Sequence, residues 1–146
     1  MLVDPNIEKA LGECHLDHIA IAVDDIEQSV KMYSLLGLKF NPEREVVDSQ
    51  KVKTAFCPID KNASIELLTP TSDESSIAKF LKKQGAGIHH ICFRVKDVKL
   101  KQAELEAQGM KFIYEKPFEG AHNMLVNFIH PKSMNGVLIE LSQVNV

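Results

Sequence analysis

Two segments of this chain follow the same pattern, and this repeat constrains the fold more than any other feature. In each copy an apolar run begins with a His, an Asp follows seven residues after that His, a Gly follows nineteen residues after it, and an Ile-Glu-Leu triplet comes later. The repeated residues are His18, Asp25, Gly37 and Glu66 in the first copy and His90, Asp97, Gly109 and Glu140 in the second. Self-similarity of this kind indicates a duplicated structural unit.

Composition narrows the class of protein. The chain has 146 residues, 45% of them apolar and 25% charged, which is typical of a globular protein with a core of its own. Its net charge is −3 and it has no basic run, so we do not expect a nucleic acid partner. The first fifteen residues lack the apolar core of a signal peptide, and no later apolar run is long enough to span a bilayer. We expect a cytoplasmic protein with no membrane partner.

The order of the apolar segments predicts a strand, a helix and three further strands in each copy. Predicted strands lie at 16–23, 38–47, 51–57 and 63–68 in the first copy and at 88–95, 111–114, 124–129 and 136–143 in the second. Predicted helices begin after Asp24 or Asp25, within Thr71–Glu74, and after Asp97. The sequence therefore predicts an α+β fold in which two βαβββ modules, related by a pseudo-twofold axis, form a curved mixed sheet around a cavity.

The same pattern sets the expected domain boundaries. We predict a single domain over residues 16–146, preceded by a leader of residues 1–15. Within the domain, module one spans 16–70, a linker helix lies within 71–87, and module two spans 88–143.

Strand alternation places the repeated His and Glu residues on the less apolar faces of their strands. In the first strand, Ile19, Ile21 and Val23 alternate with His18 and two alanines, so one face is expected to pack on a helix while the other leaves room. Each Glu of the repeat is flanked by Ile and Leu. Because burial of an unpaired carboxylate is costly, each Glu needs a partner.

Two interpretations of these residues are open. A single His at the start of an apolar strand is often only a structural residue. If two copies instead pack about a pseudo-twofold axis, equivalent residues converge and provide four metal ligands, which are His18, Glu66, His90 and Glu140. Duplication favours this second interpretation. A donor set of imidazoles and carboxylates suits one divalent ion of Co, Zn, Ni, Mn or Mg.

Several segments of the chain match a known family. They are Asp17–Val23, Ile65–Pro70, Ser75–Leu81, Gly87–Ile91, Gly120–His122, His130–Ser133 and Gly136–Leu141. With them the chain resembles the vicinal-oxygen-chelate superfamily, which includes glyoxalase I, extradiol dioxygenases, bleomycin-resistance proteins and the methylmalonyl-CoA epimerase family. The resemblance is strongest to the epimerases and covers residues 16–143.

This resemblance implies an isomerase that inverts C2 of methylmalonyl-CoA by 1,1-proton transfer through a metal-stabilised enolate. Inversion calls for a base on each side of C2, and Glu66 and Glu140 could fill these two roles as well as bind the metal. The alternative is that one of the two acts more as a ligand than as a base. Contacts with the acyl-CoA substrate are expected from four further residues, which are His122, Arg94, Lys132 and Ser133. Because members of the superfamily are often dimers, we expect a homodimer.

Other functions remain possible on the sequence alone. A lactoylglutathione lyase of the glyoxalase I type would use the same four ligands, and turnover of methylglyoxal with glutathione would identify it. A non-catalytic binding module is expected to lack the full ligand set. An extradiol dioxygenase usually needs two His and one carboxylate around iron, so the second Glu would be surplus.

One residue departs from part of the resembled family. Some related epimerases carry a Glu on the third strand that looks like a catalytic base, and they have Gln at the position of Glu66. The matching third-strand residue here is Thr54. Because a Thr hydroxyl is too weak a base for this reaction, we expect the base to be Glu66.

Two residues near His90 are expected to have structural roles. Strand alternation directs His89 away from the face of His90, which predicts a packing or hydrogen-bonding residue. Cys92 lies on the face of His90 and is expected to be a small apolar filler. The odd number of cysteines, three, argues against a disulfide framework and favours a reducing compartment.

Overall fold

The computed structural model describes residues 14–145, so most of the predicted leader lies outside the described residues. The strands are β1 (Cys14–Ala22), β2 (Glu45–Val47), β3 (Val52–Pro58), β4 (Ser64–Pro70), β5 (Gly87–Val95), β6 (Phe118–Glu119), β7 (Met124–Ile129) and β8 (Ile139–Val144). The α-helices are α1 (Ile26–Ser34), α2 (Ser76–Gln84) and α3 (Val98–Ala107). Among the described residues, no helix is long and apolar enough to cross a membrane.

The chain divides into two compact units, and each contains a mixed sheet. One unit is His18–His90, and the other consists of the residues from Ile91 onwards with the described residues before His18. The strand order is β2-β3-β4-β1 in the first unit and β5-β8-β7-β6 in the second. Each order includes one parallel pair, β1 with β4 or β5 with β8, beside antiparallel neighbours. The predicted α+β fold class is confirmed.

The register of the strands shows the duplication directly. In the first unit Glu66 pairs with Ala20 on β1 and with Phe56 on β3. In the second, Glu140 pairs with Cys92 on β5 and with Phe128 on β7. Each Glu therefore occupies the same position in its own sheet, opposite a Phe on one side and a small residue on the other.

Two of the helices begin and end as the repeat predicts. Asp25 caps α1 by accepting a hydrogen bond from the backbone N–H of Gln28 at 3.0 Å, and Asp97 caps α3 by accepting one from Leu100 at 3.0 Å. Gly37 and Gly109 follow these helices with φ of +92° and +93°. This left-handed conformation is cheap only for glycine, so the repeated Gly turns the chain back towards the sheet.

The alternation of β1 also has the predicted consequence on one of its faces. Ile21 and Val23 pack with Ile26 of α1 and with Leu67 of β4. The opposite face is less open than expected, because Ala20 and Ala22 are fully buried in a cluster with residues of α2. That cluster comprises Ala20, Ala22, Val52, Leu68 and Ile77, with Val47, Phe80 and Leu81 packed against it. The small alanines thus make room for a second helix.

The linker helix begins later than the sequence predicted. Ser72 accepts a hydrogen bond from the backbone N–H of Glu74 at 3.1 Å, which stabilises a turn and not a helical start. The N-cap is instead Ser75, whose hydroxyl accepts from the N–H of Ile77 at 3.1 Å. The prediction of a start within Thr71–Glu74 was therefore wrong by a few residues.

One predicted strand is shorter than expected, and another does not form. Only Glu45–Val47 of the predicted segment 38–47 is a strand, since Pro42 has no N–H to donate to a ladder. The segment 111–114 makes a single bridge, between Phe112 and Ile129, and the edge strand of the second unit is Phe118–Glu119.

A buried amide network explains the second error. The side-chain N–H₂ of Asn127 donates to the backbone carbonyl of Tyr114 at 3.0 Å and to Gln102 of α3 at 2.7 Å. Gln102 in turn donates to the carbonyl of Glu115 at 3.0 Å. Side chains therefore satisfy backbone groups that a strand partner would otherwise satisfy.

We expect Asn127→Ala to lower the free energy of unfolding by about 1–3 kcal/mol, because Asn127 is fully buried and its loss leaves buried polar groups unpaired. Urea denaturation would measure the change. The matched change at exposed Asn62, Asn62→Ala, should stay within about 0.5 kcal/mol of the wild type. Equal effects of the two variants would contradict this account of the network.

Candidate active site

Three of the four predicted ligands belong to the unit His18–His90, and within it His18 lies close to the other two. The Nε2 atoms of His18 and His90 lie 3.2 Å apart, and the Nε2 atom of His18 lies 3.4 Å from Oε2 of Glu66. The three residues are 8%, 7% and 5% exposed, in the order His18, His90, Glu66. The buried carboxylate has the nearby partner that its burial requires.

The parallel register of β1 and β4 explains why His18 and Glu66 meet. His18 pairs with Ser64, and Ala20 pairs with Glu66, so His18 and Glu66 are diagonal neighbours on one face of the sheet. The methyl group of Ala20 leaves space for the carboxylate to reach back towards His18. A large side chain at this position would occupy that space.

This donor set can hold a divalent cation. Two imidazole nitrogens and a carboxylate oxygen are ordinary ligands for a first-row transition metal, and the Nε2 atom of His18 lies within 3.4 Å of a donor atom on each of the other two residues.

His89 contacts His90 on the other side of its ring. The Nδ1 atoms of His89 and His90 lie 2.9 Å apart. The ring of Phe80 on α2 packs edge-on against the ring of His89, with 5.0 Å between the ring centroids. His89 is thus both a packing and a hydrogen-bonding residue, as expected. If the Nδ1–H of His90 donates to His89, the tautomer of His90 is fixed and its Nε2 keeps a lone pair for a metal.

Glu140 belongs to the other unit and is described within it. It is 8% exposed and lies on β8 between Cys92 and Phe128 of the neighbouring strands. The Cys92 thiol is fully buried and donates to Oγ of Ser142 at 3.3 Å, in agreement with its expected role as a small filler.

Arg94 has a partner that the sequence reasoning missed. Its Nη2 donates to Oδ1 of Asp17 at 2.5 Å, and its buried Nε has no hydrogen-bond partner among the described residues. Asp17 could have been considered, because it is the residue directly before His18 and therefore lies on the same strand. The expected contact of Arg94 with substrate stays a prediction.

The other three predicted substrate contacts lie in two short turns of the second unit. His122 is exposed and adopts the left-handed conformation, with φ of +56°. Lys132 is exposed, and the hydroxyl of Ser133 accepts a hydrogen bond from the backbone N–H of Lys111 at 3.0 Å. Ser133 therefore has a structural role in addition to any contact with substrate.

The described cysteines form no disulfide, and one of them, Cys57, is a buried thiol. Cys14, Cys57 and Cys92 are all free thiols. Burial raises the pKa of the Cys57 thiol above its ordinary value, and the thiol donates to the carbonyl of Lys39 at 3.3 Å. A protonated, buried thiol is a poor nucleophile, so the chemistry of Cys57 is inert at neutral pH.

Comparison with known proteins identifies the superfamily of the chain. Residues 17–128 match the Glyoxalase/Bleomycin resistance protein/Dioxygenase superfamily, so the chain belongs to that superfamily. Enzymes of this superfamily typically bind a divalent metal ion, and the cluster of His18, Glu66 and His90 is a candidate for such a site.

Individual relatives narrow the similarity further. The chain is 40% identical over 140 residues to "Methylmalonyl-CoA epimerase, mitochondrial" of Dictyostelium discoideum, covering 94% of this chain and 83% of that protein. It is 40% identical over 132 residues to the "Ethylmalonyl-CoA/methylmalonyl-CoA epimerase" of Cereibacter sphaeroides, covering 88% and 97%. A solved variant of Streptomyces coelicolor methylmalonyl-CoA epimerase, in complex with 2-nitronate-propionyl-CoA, aligns with a TM-score of 0.86 at 32% identity, covering 92% and 99%.

We expect His89→Phe to weaken metal binding by about 10–100-fold, because it removes the hydrogen-bonding partner of His90 Nδ1 while keeping an aromatic ring against Phe80. Competition of the protein with a chromophoric chelator for Co(II) or Zn(II) measures this affinity without any assay of activity. The same substitution at exposed His122 is the control and should leave the affinity unchanged. Equal affinities for His89→Phe and the wild type would rule out the orienting role.

Proposed function

We propose that this protein is a metal-dependent epimerase that inverts C2 of methylmalonyl-CoA. The observation that carries the proposal is the buried contact of His18 with both Glu66 and His90. It occurs in a chain whose relatives with that name align over most of its length. The homodimer and the cytoplasmic location expected from the sequence stay predictions.

We propose that the metal ligands are His18, Glu66, His90 and Glu140. Glu140 is included because it occupies the register position in its sheet that Glu66 occupies in the other, and because it is equally buried. When bound, a divalent cation supplies positive charge that stabilises the oxyanion developing on the substrate as a proton leaves C2. The donor set is compatible with Co, Zn, Ni, Mn or Mg.

The remaining chemistry is a proton transfer by residues of the chain. The C2–H bond breaks as a base takes the proton, and its electron pair moves into the adjacent thioester carbonyl. Return of a proton to C2 from the opposite face re-forms the bond with inverted configuration. Such an inversion needs one proton carrier on each face, and we propose Glu66 and Glu140 for these two roles.

A solved relative supports an acyl-CoA substrate. A nitronate is planar and anionic, like the deprotonated acyl group, and a nitronate acyl-CoA is bound in the Streptomyces coelicolor protein. We propose that His122, Arg94, Lys132 and Ser133 contact the acyl-CoA here. Their polar and cationic groups suit the carboxylate of the acyl group and the phosphates of coenzyme A.

The direct test supplies one stereoisomer of methylmalonyl-CoA to the metal-loaded protein and couples its conversion to a stereospecific mutase. We expect conversion with at least one of the five candidate ions and none after chelation. If no ion supports conversion while methylglyoxal and glutathione are turned over, the protein is a lyase of the glyoxalase I type.

Glu66→Gln and Glu140→Gln test the assignment of the two bases. We expect each variant to lose at least about 100-fold in exchange of the C2 proton with heavy water for one stereoisomer of the substrate, with the two variants affecting opposite isomers. Proton NMR of each isomer measures the exchange.

Controls separate the loss of a base from the loss of the metal. Metal content measured on the same samples shows whether either variant has lost its ion. Glu104→Gln, at an exposed position, should exchange both isomers at the wild-type rate. Undiminished exchange in both Glu66→Gln and Glu140→Gln would remove these residues from the proton transfer.

A further inference from the structure

A buried hydroxyl group near the candidate site has no partner. Thr54 on β3 is 2% exposed, and its Oγ1 makes no hydrogen bond with any described residue. Burying a hydroxyl without a hydrogen bond is unfavourable, because the group loses its bonds to water and gains none. An unpartnered hydroxyl in a native protein therefore needs an explanation.

Strand register places Thr54 on the same face of the sheet as the candidate ligands. Thr54 pairs with Leu68, and Phe56, two residues further along β3, pairs with Glu66. Side chains two residues apart on a strand share a face, so Thr54 and Glu66 are diagonal neighbours about 7–8 Å apart. A small substrate group could lie between a hydroxyl and a carboxylate at this separation.

The second unit shows that the fold does not require a hydroxyl at this position. Val126 on β7 corresponds to Thr54, because it lies two residues before Phe128, which pairs with Glu140. It is 3% exposed, so a β-branched apolar side chain fits the equivalent environment. The residue opposite Val126 is Ser142, and its hydroxyl accepts from the thiol of Cys92. In the pair of Val126 and Ser142 the Ser hydroxyl has a hydrogen-bond partner, whereas in the pair of Thr54 and Leu68 the Thr hydroxyl has none among the described residues.

We propose that Thr54 is a substrate-binding residue, whose hydroxyl donates a hydrogen bond to an oxygen of the bound acyl thioester. The inference rests on the proposed function, because that substrate class supplies the acceptor. A thioester carbonyl and a carboxylate flank C2, and both carry oxygens that gain negative charge or already bear it. A neutral donor beside the acidic Glu66 suits such an oxygen, since a second carboxylate would repel it.

Thr54→Val tests the role of the hydroxyl with little change in shape. We expect kcat/KM for methylmalonyl-CoA to fall by about 10–100-fold, as for the loss of a hydrogen bond to a charged group. The Tm of the substrate-free protein should stay the same or rise, because the change removes an unsatisfied buried group. Thr54→Ser, which keeps the hydroxyl, should retain kcat/KM within about threefold of the wild type.

Thr69→Val is the matched control on the neighbouring strand. The hydroxyl of Thr69 lies on the opposite face of β4 from Glu66 and donates to the carbonyl of Asp24 at 3.2 Å. We expect this variant to have a lower Tm and an unchanged kcat/KM, which is the reverse of the result expected for Thr54→Val. If Thr54→Val folds poorly, Thr54→Ala and Thr54→Ser provide the same comparison, since these two differ only in the hydroxyl.

The outcomes separate this inference from the proposed function. If wild-type protein epimerises methylmalonyl-CoA and Thr54→Val does so equally well, Thr54 is a buried spacer and the inference is wrong while the function stands. A lower Tm for Thr54→Val with unchanged kinetics would also contradict it. If the wild type fails to epimerise the substrate with any ion, the proposed function itself fails.

Discussion

The contact between the buried carboxylate of Glu66 and the ring of His18 is the interaction on which the rest of the site depends. A carboxylate flanked by Ile65 and Leu67 is stable only if a cationic or hydrogen-bonding group is close, and His18 at 3.4 Å provides it. His18 reaches this position because β1 and β4 are parallel and in the register that places Ala20 opposite Glu66. The contact between His18 and Glu66 therefore requires both this strand register and a small side chain at position 20.

That requirement also explains why the sequence predicted the central strands that carry the repeated His and Glu residues better than the edges of the sheets. The His and Glu residues lie on central strands, where alternation of apolar side chains determines which face is buried. The segments 38–47 and 111–114 lie at sheet edges, where individual residues determine whether a strand forms. Pro42 has no N–H to donate within the segment 38–47. At the end of the segment 111–114, the amide side chains of Gln102 and Asn127 donate to the backbone carbonyls of Glu115 and Tyr114.

Contacts between side chains distant in sequence were not predictable in the same way. Alternation placed His89 on the far face from His90, yet it does not indicate that their Nδ1 atoms meet or that Phe80 holds the ring. The pairing of Arg94 with Asp17 likewise depends on two strands distant in sequence. Alternation also predicted open space beside the two alanines of β1. Part of that space is instead filled by α2, because a helix can pack closely over small side chains.

Departures from the repeat are as informative as the repeat itself. In the proposed reaction the two faces of the planar intermediate require equivalent proton carriers, and Glu66 and Glu140 occupy equivalent register positions. The intermediate itself has no such symmetry, because a thioester lies on one side of C2 and a carboxylate on the other. Contacts that recognise these two groups must therefore differ between the copies. Thr54 differs from Val126 at a buried position where the backbone pairing is the same, which is the kind of difference that such recognition demands.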